Sequence, residues 1–164
     1  MLLWFAGLTV PAVAATFASR ALDYRLVIAG AVLPSLALAV DGLWVMGTLL
    51  FPIAVLAGAM IVGWGRRLVQ RRLLGFPIGL FCHLILDGAW LRPASFWWPL
   101  AGVAAGEAVS VSLRPLWAVL AMEFAGAVAI WWSWRRFGLA DPARRRVLAR
   151  RGRLEPASRP RRAR

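Results

Sequence analysis

Long apolar runs broken by short arginine-bearing segments dominate this chain and predict an all-α, membrane-spanning fold. Met1–Ser19 carries no charged side chain and predicts a first span. Its Ala12–Ala14 and Thr16–Ala18 stretches also suit signal-peptide cleavage, but the basic segment that usually opens such a peptide is missing, which favours an uncleaved helix. Leu26–Val40, only 15 residues long, predicts a short second span kinked at Pro34. That Pro34–Ser35 bend reads either as an ordinary proline kink or as backbone lining a site. Gly42–Gly65 predicts a third span, closed by Arg66–Arg72. Leu73–Leu91 predicts a fourth and Pro115–Trp134 a fifth, with Arg92–Arg114 as the loop between them. Several of these runs approach or exceed the roughly 18 residues that cross about 30 Å of hydrocarbon. The expectation is a polytopic transmembrane helical bundle of about five spans over residues 1–134, or four if the first is cleaved. Residues 135–164 form a basic, Arg/Pro-rich tail, expected to be helical at its start and otherwise too poor in apolar residues to fold.

The arginines orient this bundle in the cell membrane. With five spans and a cytoplasmic C-terminus, the inner loops hold Arg20, Arg25 and the four arginines of Arg66–Arg72, and the tail adds many more. The outer side receives Arg92 and Arg114, and the N-terminus is extracytoplasmic. Tryptophans agree: Trp64, Trp131, Trp132 and Trp134 fall near the inner interface, and Trp97, Trp98 and Trp117 near the outer one.

Composition narrows the partners. At 164 residues there is room for one domain, and 61% hydrophobic against 16% charged residues exclude a soluble protein of this size. All 20 basic residues are arginine, many of them after Trp134, so the net charge of +13 belongs largely to the tail. Arg144, Arg145 and Arg146 are the candidates for contact with anionic lipid headgroups, at about 1 kcal/mol each. The same tail also reads as a topology signal without a partner. Aromatic residues are absent after Phe137, which argues against nucleic acid. Cys82 is the sole cysteine, so no internal disulfide forms, and a structural Cys/His zinc site is excluded.

His83, the only histidine, and Asp87 lie four residues apart on one helix face inside the fourth predicted span. An ionisable group in a membrane span points to function by default. At about 1.5 Å per residue, His83 is ~15 Å from the inner end and Asp87 ~21 Å, while Ser35 is level with His83. Glu123 lies ~12 Å from the outer end of span five, and Asp41 caps span two. A polar cluster open to the outer face is the expectation. It has two readings: a divalent metal held by His83 and Asp87 for hydrolysis, or a polar pair that stabilises helix packing.

The segments GAVLPSL (Gly30–Leu36), GTLL (Gly47–Leu50), GFPIGLFCHLILDGAW (Gly75–Trp90) and SFWWPLAG (Ser95–Gly102) together resemble a family of membrane-bound proteins described as metal-dependent hydrolases. The family is also described as LexA-binding, inner-membrane-associated hydrolases, and its activity is itself an inference. The resemblance runs from Met1 to Gly102 and is most specific over His83–Gly102. It implies a small polytopic helical protein with His83 and Asp87 as catalytic residues and ligands of a divalent metal such as zinc. Asp41 is a further ligand on that reading, with Ser35 and Glu123 as outer-sphere or substitute positions. Two family ligands are replaced here: Ser35 stands where Asp follows the proline, and Gly47 where a histidine opens the next span. The expectations are therefore a membrane hydrolase with a depleted metal site, or a non-catalytic membrane protein that keeps the scaffold. A transporter or channel is less favoured, for want of an internal repeat.

Overall fold

Proline positions decide where two of the helices begin. A computed structural model of the protein describes residues 1–17, 22–37, 43–100 and 114–154. Among them every regular element is helical: α1 (Leu2–Phe17), α2 (Tyr24–Ala37), α3 (Leu50–Val62), α4 (Arg67–Leu73), α5 (Gly75–Asp87), α6 (Pro93–Phe96), α7 (Leu116–Arg136) and α8 (Pro142–Arg151). Pro52 is the third residue of α3 and Pro77 the third of α5. The first four N–H groups of a helix have no acceptor within it, so a missing donor there is tolerated. The long third span expected over Gly42–Gly65 is therefore shorter. Leu43–Gly47 form a 3-10 turn, and α3 starts only at Leu50. Arg66–Arg72, expected as a closing loop, are largely helical as α4, which runs almost directly into α5. The fourth predicted span, expected to reach Leu91, ends as α5 at Asp87, because Gly88 takes the left-handed conformation (φ 67°) that closes a helix.

Two backbone-to-backbone crossings build the bundle. α2 packs along α5, and α1 packs along α7 and, less extensively, α2. A Cβ placed on Gly79 would collide with the carbonyl oxygen of Val27, and one on Gly30 with that of Phe76. Gly7 and Gly126 make the same close approach between α1 and α7. Small residues at such crossings let helices approach where no water-driven force joins them. Gly75 and Gly79 form a small-xxx-small pair on one face of α5.

The outside of the bundle is apolar. Of α7 only Gly126 and Ser133 are buried, while Trp117 and Phe124 are each more than 70% exposed. Two helical segments, Arg67–Asp87 and Leu116–Arg136, are each 21 residues long and apolar enough to cross a membrane. At 1.5 Å per residue each spans about 31 Å. α1, α2 and α3 are apolar but shorter.

The start of the tail is folded onto the bundle. Asp141 caps α8 by accepting from the Ala143 N–H at 2.8 Å. Beyond α8 the chain turns at Gly152 (φ 65°) and buries Leu154 with Val10, Val13, Tyr24 and Phe137. Tyr24 N–H donates to the Gly152 carbonyl at 2.7 Å, and Arg25 Nη1 to the Ala149 carbonyl at 2.8 Å. Arg25 also grips the buried Asp23 through Nη2 at 2.9 Å and Nε at 3.1 Å. Burial pushes the Asp23 carboxyl up, but the Arg25 side chain, the Arg25 N–H, its charge and the Leu26 N–H outweigh this and leave it below its ordinary value of 3.8. Its contribution to stability is thus present above pH 3.8 and lost as the pH falls through the lower, folded value. Asp23→Asn is expected to destabilise the purified protein by about 1–2 kcal/mol at pH 7. The gap to wild type should narrow as the pH falls below about 3.8, which thermal unfolding at a series of pH values would show; a gap that stays constant as the pH falls would refute the assignment.

Candidate functional site

α5 carries both predicted site residues, but the fold sends them to different partners. His83 is buried, and its Nδ1 lies 2.7 Å from the Ala31 carbonyl oxygen of α2. A carbonyl only accepts, so Nδ1 carries a proton and donates it to this bond. The imidazole lies against Phe5 of α1, with ring centroids 4.0 Å apart and planes inclined by 31°. His83 therefore joins three helices at one level. The close approach at Gly30 and Gly79 is what brings Ala31 within its reach. Ser35, one turn beyond Ala31, has a buried hydroxyl with no hydrogen-bond partner.

Asp87 is held by arginines. Arg92 Nη2 donates to one carboxylate oxygen, and Arg114 Nη2 lies 3.2 Å from the other. Arg114 Nη2 also donates to the Asp87 main-chain carbonyl at 2.5 Å, and the Trp4 indole N–H donates to the Leu86 carbonyl at 3.2 Å. These are the last carbonyls of α5, which lack acceptors' usual partners within the helix and carry its negative dipole end. Cationic and N–H donors are the groups such an end favours. The other Arg114 nitrogen, Nη1, faces the sulfurs of Met122 at 3.2 Å and Met1 at 3.7 Å. Asp87, Arg92 and Arg114 together leave one positive charge in excess.

Glu123 takes a third role. It accepts from the Leu3 N–H at 2.9 Å and pairs with the Met1 amino group at 3.1 Å. A carboxylate at the start of a helix meets unpaired N–H donors and the positive dipole end. Glu123 thus ties α7 to the first turn of α1. Arg144 donates to the Phe137 carbonyl at 3.3 Å, and Arg145 and Arg146 are exposed. Asp41 lies outside the described residues.

The described residues alone do not supply the donor set for the divalent metal that the resemblance implies. Among the described residues no three His, Cys, Asp or Glu side chains converge. A catalytic zinc takes three protein ligands and an open position. Here Asp87 is already neutralised by two guanidiniums, whose charge also repels a cation. Trp4, Phe5, Arg92 and Arg114, which complete the environments of His83 and Asp87, were not among the predicted site residues. The spacing Asp87-x4-Arg92 and the position of Arg92 just past the Gly88 cap were the available signals. Neither a family model, nor a curated protein, nor a solved structure matches this chain.

Proposed function

We propose that the protein is a multi-pass integral protein of the cell membrane, built on the scaffold of the membrane-bound hydrolases it resembles, in which His83 and Asp87 serve helix assembly rather than metal-dependent catalysis. The observation that carries this reading is the division of the pair: His83 bonds a backbone carbonyl of α2, and Asp87 is neutralised by Arg92 and Arg114. The apolar exterior supports the membrane setting, and about five spans follow when the shorter apolar helices are counted with the two long ones. α5 begins beside Asp23 and ends at Asp87, so Arg25 and α8 lie at one end of the bundle and Arg92 and Arg114 at the other. The arginine-rich end is cytoplasmic on the positive-inside rule.

The test uses protein extracted in detergent from carbonate-washed membranes, wild type beside His83→Ala. Wild type is expected to hold well under one equivalent of any divalent metal by elemental mass spectrometry. His83→Ala should unfold about 3 kcal/mol more easily, through loss of the Ala31 hydrogen bond and the Phe5 contact. About one metal ion per chain in wild type, absent from the variant, would restore the hydrolase reading. Assays for hydrolysis would then follow.

A further inference from the structure

The cytoplasmic-side end of the bundle contains an apolar hollow in two adjoining parts that no role above uses. Its deeper part, about 200 Å³, lies between α1, α2, α7 and α8, with Val10, Ile28, Ile130 and Leu148 among its walls. Its outer part, about 190 Å³, opens beside α8 and is rimmed by Arg144 and Arg153. Phe137, Leu139 and Leu154 line both, so the two parts adjoin. Ser133, 6% exposed, lines the deeper part beside Trp134, and its buried hydroxyl has no hydrogen-bond partner. A buried hydroxyl without a partner is unfavourable and marks a place where an occupant's polar atom belongs. Just before Phe137, the Arg135 and Arg136 guanidiniums sit over the rings of Trp131 and Trp132 at 4.8 and 5.3 Å. Aromatic and cationic side chains at this level are typical of the headgroup region.

We infer that this hollow is a binding site for one phospholipid with an anionic headgroup. An acyl chain fills the apolar interior, an ester carbonyl accepts from the Ser133 hydroxyl, and the phosphate lies between Arg144 and Arg153. Charge complementarity selects this occupant: the rim carries guanidiniums, and the interior is apolar with Ser133 in its wall. A peptide segment would bring backbone N–H and C=O groups that the interior leaves unsatisfied. The inference rests on the membrane reading above and gives its cytoplasmic leaflet a specific ligand. It extends the expected headgroup contact from Arg144–Arg146 to a site in which Arg153 takes part.

The experiment is native mass spectrometry of the full chain, extracted from membranes and titrated with dioctanoyl phosphatidylglycerol, dioctanoyl phosphatidylcholine and glycerol 3-phosphate. One phosphatidylglycerol per chain is expected, retained at least fivefold better than phosphatidylcholine, with no retention of glycerol 3-phosphate. Arg153→Gln should weaken phosphatidylglycerol about fivefold and the Arg144→Gln/Arg153→Gln pair further, with a smaller loss for phosphatidylcholine, whose choline offsets its phosphate charge. Ile130→Trp, which fills the hollow from a half-exposed position, should lower retention of both lipids without changing the far-UV spectrum. Equal retention of the two lipids, or no retained lipid, overturns the site while the membrane reading stands. Recovery of the chain in the soluble fraction overturns both.

Discussion

Replacing Gly79 by leucine is expected to abolish the folded bundle. At this crossing the obstacle to a side chain is main chain: a Cβ on Gly79 meets the Val27 carbonyl oxygen, with the Ala31 nitrogen and Gly30 Cα at 2.9 and 3.0 Å. A neighbouring side chain could rotate away, but a helix backbone cannot. α2 and α5 would have to separate, and the His83–Ala31 hydrogen bond would go with them. The cost should exceed the usual 1–3 kcal/mol of overpacking, and the expected readout is loss of monodisperse protein after extraction. Gly58→Leu on α3 is the control. Nothing lies within 4 Å of a Cβ there, so the change should shift the unfolding midpoint by less than about 0.5 kcal/mol. Equal behaviour of the two variants would mean that the α2–α5 crossing is not the seat of stability.

Asp87→Ala is expected to produce the second large effect. It leaves Arg92 and Arg114 without a counter-charge, their side chains 31% and 21% exposed. Breaking a fully buried pair costs about 3–5 kcal/mol, and partial exposure brings the expectation here to about 2–3 kcal/mol. A double-mutant cycle identifies the cause. Arg114→Met places an apolar side chain beside Met1 and Met122, and with Asp87 already removed it should cost little. The coupling expected from detergent-unfolding midpoints is about 1–2 kcal/mol. Additive effects would show that the Asp87–Arg114 pair does not hold the end of α5.

Apolar run length was enough to find the helical class and to place α1, α2, α5 and α7 close to their observed limits. Helix starts were harder to see. Pro52 and Pro77 look like breaks in a linear reading, yet each sits where a helix accepts proline. Depth along the helix axis had Ser35 level with His83, whereas the residue of α2 that His83 reaches is Ala31, one turn before Ser35. Rotation about that axis was invisible, so Asp87 could not be told to face Arg92 and Arg114 rather than a metal. Arg114 in particular stood 27 residues away and read only as a topology marker. The glycines at positions 7, 30, 79 and 126 were legible as small residues, but their pairing depends on which helices meet, and no spacing in one chain gives that.

The α1–α7 crossing has a consequence for how the protein is made. Gly7 and Gly126 meet at a contact spanning most of the chain, and Glu123 seals the first turn of α1 from α7. α1 thus finds its most extensive partner only after more than a hundred further residues have been added. Until then its glycine face and first-turn N–H groups have only lipid, water or another protein to meet. A chain stopped before α7 exposes that face for good, which gives cellular quality control a surface by which to tell unfinished copies from finished ones.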